Sequence, residues 1–262
     1  MKSVKNAKRV VFKVGTSTLT HESGKLNFRR IERLARTLAD LANSGLEVVL
    51  VSSAAISAGC AKLGITERPH STSEKQAIAA VGQSELMKVY EHYFSDFGHP
   101  VGQILITKDE LDREKVFENA RSTFNTLIKM GCIPIVNEND SVSYDEIEFG
   151  DNDTLSAYVS LVCGADALVI LSDIDGLYDS DPHANPDAKL IPRVDEITDE
   201  IRACAGGAGT KRGTGGLITK IHAADIVCPK GIPMYIINGA DPDLLYDLRE
   251  GKQVGTLFAA GE

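Results

Sequence analysis

Short apolar runs alternate along this chain with stretches whose apolar residues recur every three to four positions. Residues 9–14 form a β-branched run and 46–51 a near-continuous apolar one, both of strand length. Between them Ile31, Leu34, Ala35, Leu38 and Leu41 keep helical spacing across 27–43, and Gly45 supplies a stop. The same reasoning predicts helices at 54–63, within 73–97, and at 114–130, 154–163, 195–205, 217–227 and 242–250. Further strands are expected at 101–106, 132–136, 167–171 and 233–237. Ser73, three residues before Gln76, has the spacing of a capping box at the start of the longest helix. Strict alternation with acidic partners over 142–149 predicts an exposed hairpin.

Apolar strands separated by amphipathic helices imply an α/β fold, a mainly parallel open sheet covered on both faces as a three-layer αβα sandwich. No repeat or low-complexity linker divides residues 1–262, so one domain is expected. With 43% hydrophobic and 25% charged residues the chain has an ordinary globular composition, which excludes disorder. The net charge of −9 argues against a general affinity for nucleic acid or an anionic membrane, though not against a local anion site. Cys60, Cys132, Cys163, Cys204 and Cys228 stand singly and form no C-x-x-C pair, as expected of buried free thiols in a reducing cytoplasm. The six histidines show no H-x-x-x-H spacing, so no structural zinc is expected. The basic N-terminus meets only Val10-Val11-Phe12 before Lys13 interrupts, too short for a signal peptide. No run approaches the roughly 20 apolar residues of a membrane span.

In open α/β sheets ligands bind beyond the carboxyl ends of the strands. Here those ends read Lys13-Val14-Gly15-Thr16-Ser17, Ser52-Ser53-Ala54-Ala55, Asn137-Glu138-Asn139-Asp140 and Ser172-Asp173-Ile174-Asp175-Gly176. Four polar ends predict one shared site. Neither G-x-x-x-x-G-K-[ST] nor G-x-G-x-x-G occurs between a strand and a helix, which removes the Walker loop and the dinucleotide turn. Glycine does gather at Gly15 and over 206–216, where six of eleven residues are Gly ahead of a helix carrying Lys220. Glycine backbone and a helix N-terminus suit phosphate oxygens, and Lys13 with Lys220 can supply point charges to a transferring phosphoryl group. A solvated strand-end lysine and a surface loop fit the same residues. Phe149-Gly150-Asp151-Asn152-Asp153-Thr154 fits a helix cap as well as a polar-substrate grip in which Asp153 orients the lysines. Asp140 is a second candidate for an ammonium group. The run Asp173 to Pro182 is turn-rich and lacks the terminal glutamate of a calcium loop; it fits a nucleotide contact or a plain loop.

Together these segments resemble the amino acid kinase family, and within it the branch that phosphorylates glutamate. The resemblance rests on Lys13 to Ser17, Val51 to Gly59, Ala79-Ala80-Val81-Gly82-Gln83 and Val136 to Asp140. It continues through Phe149 to Ala157, Asp173 to Pro182, Gly213 to Lys220 and Gly255 to Phe258, in the family's order and over nearly the whole chain. It implies the amino acid kinase fold, with the N-terminal part mainly binding substrate and the C-terminal part mainly binding ATP. It implies ATP-dependent phosphorylation of the γ-carboxylate of L-glutamate, the first step of proline biosynthesis. Lys13, Asp153 and Lys220 would be catalytic; Ser53, Asn137, Asp140, Asp151 and Asn152 would bind substrate. ATP would meet Lys13, Gly15, Ser172, Asp173, Thr214, Gly215, Gly216, Leu217, Ile218, Thr219 and Lys220. Magnesium would ride on the ATP phosphates with no metal ligand from the protein. The resemblance further implies a homo-oligomer, dimer or tetramer, and proline as a feedback inhibitor. It also implies a kinase domain without the C-terminal RNA-modification-type (PUA) domain of many members. The family's T-S-G turn is Ser52-Ser53-Ala54 here, which puts a methyl group where glycine lets the backbone approach substrate. The alternatives are a family enzyme with another small acceptor and a non-catalytic nucleotide or amino-acid sensor. Retention of Lys13, Asp153 and Lys220 together argues against the sensor.

Overall fold

The apolar strands come together as one sheet. The computed structural model describes residues 3–67, 69–142, 152–180, 185, 187–204 and 216–261. In chain order the elements are β1 (Arg9–Val14), α1 (Thr16–Leu19), α2 (Phe28–Asn43), β2 (Glu47–Val51), α3 (Ala55–Leu63), α4 (Thr72–Asp96), β3 (Val101–Ile106), α5 (Lys108–Leu111), α6 (Glu114–Lys129) and β4 (Ile133–Glu138). Then follow α7 (Asn152–Cys163), β5 (Ala167–Ser172), β6 (Arg193–Val194), α8 (Asp199–Cys204), α9 (Leu217–Val227), β7 (Met234–Asn238), α10 (Leu244–Glu250) and β8 (Thr256–Phe258). The strand order is β3-β4-β2-β1-β5-β7-β8-β6. Every pairing is parallel except β7 with β8, and β6 runs parallel to β8.

Strand alternation divides the core into two layers. Val10, Phe12 and Val14 of β1 pack with Ile31, Leu34 and Leu38 of α2, Leu86, Tyr90 and Phe94 of α4, and Leu245 and Leu248 of α10. Val11 joins the opposite layer with Phe124 of α6, Leu155 and Val159 of α7, and Ile221 and Ala224 of α9. Successive side chains on a strand take opposite faces. Lys13 therefore shares the face of Val11 and points toward α7 and α9. Asn137 continues the parity of Ile133 and Ile135, which puts it on the α4 face. All five helical-period residues of α2 are buried, and the Ile and Leu side chains among them are each worth about 1.5–3 kcal/mol relative to exposure. That removal from water, rather than helix propensity, holds α2 on the sheet.

Several details depart from the sequence expectation. The capping box of α4 is Ser71 with Glu74, so the helix starts at Thr72: Ser71 accepts from Glu74 N–H at 3.2 Å and Glu74 accepts from Ser71 N–H at 3.1 Å. Glutamate at the third position brings a charge that Gln76 lacks. Of the helix expected over 195–205, the described residues hold Asp199–Cys204, and 195–198 are not helical. The strands β6 and β8 carry too few residues to show a period, and only pairing with neighbours defines them. Of the five free cysteines Cys163 and Cys228 are buried, while Cys60, Cys132 and Cys204 are partly exposed. The hairpin expected over 142–149 lies, beyond Val142, outside the described residues, as do Asp151, Thr214 and Gly215. Among the described residues no helix is long and apolar enough to cross a membrane.

Candidate active site

Two lysines from distant parts of the chain meet on one carboxylate. Lys13 Nζ, at the end of β1, stands 2.5 Å from Asp153 Oδ1. Lys220 Nζ, in the first turn of α9, stands 3.1 Å from Asp153 Oδ2. Thr219 Oγ1 lies 2.8 Å from that same oxygen and 2.8 Å from Gly216 O, and its single proton serves one acceptor at a time. Asp153 is fully buried, with Lys13 at 7% and Lys220 at 5% exposure. Burial alone would push the Asp153 carboxyl up, but the Lys13 and Lys220 ammonium groups, with the Thr219 hydroxyl, hold it well below the usual carboxylate range. Two cations and one anion leave a net positive charge in a low-dielectric place. Such a charge is costly unless an anionic partner arrives. Such an arrangement suits an anion.

Asn152, immediately before Asp153 on α7, faces the other half of the site. Its Nδ2 lies 2.6 Å from Ser52 O, 3.1 Å from Ser53 Oγ and 3.0 Å from Asn137 Oδ1. The first turn of α7 thus serves two groups at once, Asn152 tying β2 to β4 and Asp153 tying β1 to α9. Tyr90 of α4 hydrogen-bonds the Ser52 hydroxyl at 2.8 Å, which anchors the end of β2 from below. Ala54 adopts φ +76°, the left-handed region, and is the sole non-glycine residue to do so among those described. The turn that presents Ser53 keeps the backbone of a glycine turn and carries the methyl at a strain of about 1–2 kcal/mol.

The remaining candidates divide by location. Ser172 ends β5, with its hydroxyl 3.2 Å from Asp173 Oδ1. Gly15 follows β1, and a Cβ on it would lie 3.7 Å from Lys13 Nζ, an ordinary contact beside the lysine. Gly216 caps α9. Leu217, the first residue of α9, is half-buried against the core, whereas Ile218 is 61% exposed. Asp140 lies beyond β4 in the wall of a cavity of about 540 Å³ shared with Gln83, Glu138 and Asn139. Such a volume suits a small molecule. Gln83, at the end of the Ala79–Gln83 segment, has no role assigned by the sequence pattern alone. Its helical position marks it as a core-facing polar residue, and that is the signal that can find it.

The sequence and the fold resemble those of known proteins. Residues 8–238 fit the model of the amino acid kinase family. A protein named glutamate 5-kinase from Clostridium perfringens is 52% identical over 263 residues, covering 99% of this chain and 98% of that protein. Proteins of the same name from Clostridium tetani and Listeria innocua are 55% and 50% identical, each over 98% of this chain and over 96% and 95% of their own lengths. Among solved structures, a UMP kinase from Bacillus anthracis superposes with a TM-score of 0.66 at 18% identity, covering 98% of this chain and 97% of that one. An isopentenyl phosphate kinase gives 0.66 at 16% identity, over 96% and 100% of the two chains. These two speak for the fold alone. A buried lysine–aspartate–lysine trio at the strand ends, inside a sheet of this order and a family match over most of the sequence, leads to one conclusion: the chain belongs to the amino acid kinase family.

Proposed function

We propose that this protein transfers the γ-phosphoryl group of ATP to the γ-carboxylate of L-glutamate, forming L-glutamyl 5-phosphate, the first step of proline biosynthesis. The observation that carries the reading is the buried trio in which Lys13 and Lys220 share the Asp153 carboxylate. The names of the relatives at about half identity support glutamate as the acceptor.

The acceptor carboxylate is ionised at neutral pH, since glutamate side chains titrate at about 4.3. No general base is needed. A γ-carboxylate oxygen attacks the γ-phosphorus, the bond to the β–γ bridging oxygen breaks, and ADP leaves with that electron pair. Catalysis reduces to alignment and stabilisation of charge on the oxygens in flight, which are tasks for fixed cations. Asp153 holds the two ammonium groups in place before substrate arrives, so little reorganisation accompanies the reaction. Asn152, Ser53 and Asn137 grip glutamate on the β2–β4 side, Asp140 takes its ammonium, and ATP lies on the β5–α9 side near Ser172, Asp173 and Gly216. Asp151, Thr214 and Gly215 belong to this reading by sequence.

Among the described residues no group of three or more His, Cys, Asp or Glu gathers to hold a metal ion, and the Asp153 carboxylate already meets two ammonium groups. ATP enters as its magnesium complex in this reading, the metal being carried as part of the substrate. The test is direct. Purified protein with MgATP, L-glutamate and hydroxylamine should form γ-glutamyl hydroxamate. ADP release with a different acceptor and none with glutamate would replace the acceptor, and no ADP release with any acceptor would make the chain a sensor.

A further inference from the structure

The strand-end amides form a chain whose direction is set by groups that cannot be turned round. Glu138 N–H donates to Asn137 Oδ1 at 2.9 Å, and a backbone N–H can only donate. Asn137 must therefore present its oxygen to that side. Asn152 must offer nitrogen to Ser52 O, because a carbonyl can only accept, and the same nitrogen reaches Asn137 Oδ1. The nitrogen of Asn137 is left pointing at Gln83, whose Oε1 accepts it at 2.8 Å. The usual ambiguity between amide oxygen and nitrogen is thus removed along the whole chain, and Gln83 must turn its own Nε2 the other way.

That nitrogen is buried and has no hydrogen-bond partner among the described residues. Gln83 is 8% exposed and lines the same cavity as Asp140. A buried amide N–H without an acceptor is unfavourable, and an oxygen of a bound molecule would satisfy it. The position of Gln83 is also tightly held. A Cβ on its neighbour Gly82 would lie 1.8 Å from Ala55 O, and one on Gly59 would lie 2.0 Å from Ile78 O, so α3 and α4 touch backbone to backbone. One turn of α3 away lies the Ser53–Ala54 turn, and two turns along α4 Tyr90 bonds Ser52. The helix is fixed against the site at both points.

We propose that Gln83 is a further substrate-positioning residue. Its Oε1 sets the polarity of the Asn137–Asn152–Ser53 relay, and its Nε2 donates to a carboxylate oxygen of the amino-acid acceptor whose ammonium lies toward Asp140. The proposal rests on the acceptor reading above. It assigns a task to a motif, Ala79 to Gln83, that the phosphoryl-transfer machinery leaves unused.

Two variants of the full chain test it. Gln83→Met keeps the volume and removes both functions of the amide. It should lower kcat/KM for glutamate about 10- to 100-fold, with a loss in kcat as well as a rise in KM, and leave KM for ATP within about twofold. Gln83→Glu keeps an acceptor toward Asn137 and replaces the unpartnered donor with a second acceptor. It should retain kcat within about threefold of the parent while KM for glutamate rises at least about tenfold. A folded Gln83→Met protein with unchanged glutamate kinetics overturns the proposal, and so does an equal loss toward glutamate and ATP, which marks a merely structural residue. Equal kcat losses in the two variants overturn the relay. A parent protein that is active on glutamate while these variants match it refutes Gln83 alone. A parent inactive on glutamate removes the acceptor reading and this inference with it.

Discussion

Asp153→Asn is the sharpest perturbation of this site, because it keeps the shape of the side chain and removes its charge. The carboxylate sits 2.5 Å from Lys13 Nζ and 3.1 Å from Lys220 Nζ, and nothing of it reaches solvent. At an effective dielectric constant of about 20, each contact near 3 Å carries roughly 5 kcal/mol of attraction, against which desolvation must be set. Breaking a buried pair by deleting one partner costs about 3–5 kcal/mol in practice, since the other charge stays behind unpaired. Here two ammonium groups stay behind. At about 2–4 °C per kcal/mol for a chain of this size, the midpoint of thermal unfolding should fall by roughly 6–20 °C. The pH dependence has a defined sign. The folded-state carboxyl is held below its unfolded value of about 3.9, so its contribution is fully present above that value and fades as pH falls toward the folded one. The gap between parent and variant measured by calorimetry should be widest near pH 7 and narrow steadily below about pH 4. Turnover should fall at least about 100-fold, because the lysines lose the group that aims them. A loss under about 1 kcal/mol, or a gap indifferent to pH between 2 and 7, would refute the claim that this carboxylate is a charged organiser.

Three further outcomes follow from the same geometry. Lys13→Ala and Lys220→Ala should each reduce kcat for glutamate phosphorylation strongly while changing KM for glutamate little, and an effect confined to KM would assign those lysines to binding instead. Ala54→Gly relieves a left-handed alanine of about 1–2 kcal/mol but loosens the unfolded chain by up to about 1 kcal/mol, so stability should move by no more than about 1 kcal/mol with activity retained. By contrast Ala54→Val, β-branched at positive φ, should cost at least about 2 kcal/mol, and a melt matching the parent would show that the turn can relax. Gly82→Ala drives a methyl group into Ala55 O and should destabilise the protein by at least about 1–3 kcal/mol in a denaturant titration; a neutral result would mean that α3 and α4 separate freely.

How much of this was legible beforehand differs element by element. The α2 stripe was readable because all five of its apolar positions face one direction, and all five are buried. The apolar runs of β2 and β5 were readable because strands covered on both faces carry few polar residues to interrupt them. The short strands β6 and β8 were not, since two or three residues hold no period and derive their identity from partners across the sheet. The start of α4 lies two residues before the one that Ser73–Gln76 predicts, because Ser71–Glu74 offers the same spacing and only the hydrogen bonds choose between them. At the site, the strand ends offered Lys13 and Asn137 as residue types, and the helix starts offered Asn152, Asp153 and Lys220, without a single distance.

What the sequence by itself determined is therefore the layered α/β order, the polar strand ends, and the kinds of group available for phosphoryl chemistry. Those depend on local periodicity and on which side chains carry charge, and both are written residue by residue. The tertiary structure alone decided that Lys13 and Lys220 share one buried carboxylate, that Asn152 and Asp153 face different halves of the site, and that Gln83 has an amide to spare. Each of these is a contact between residues far apart in the chain. Such contacts are set by strand parity, by sheet order and by the glycine-to-backbone packing of α3 on α4, and none of these acts until the whole core has closed.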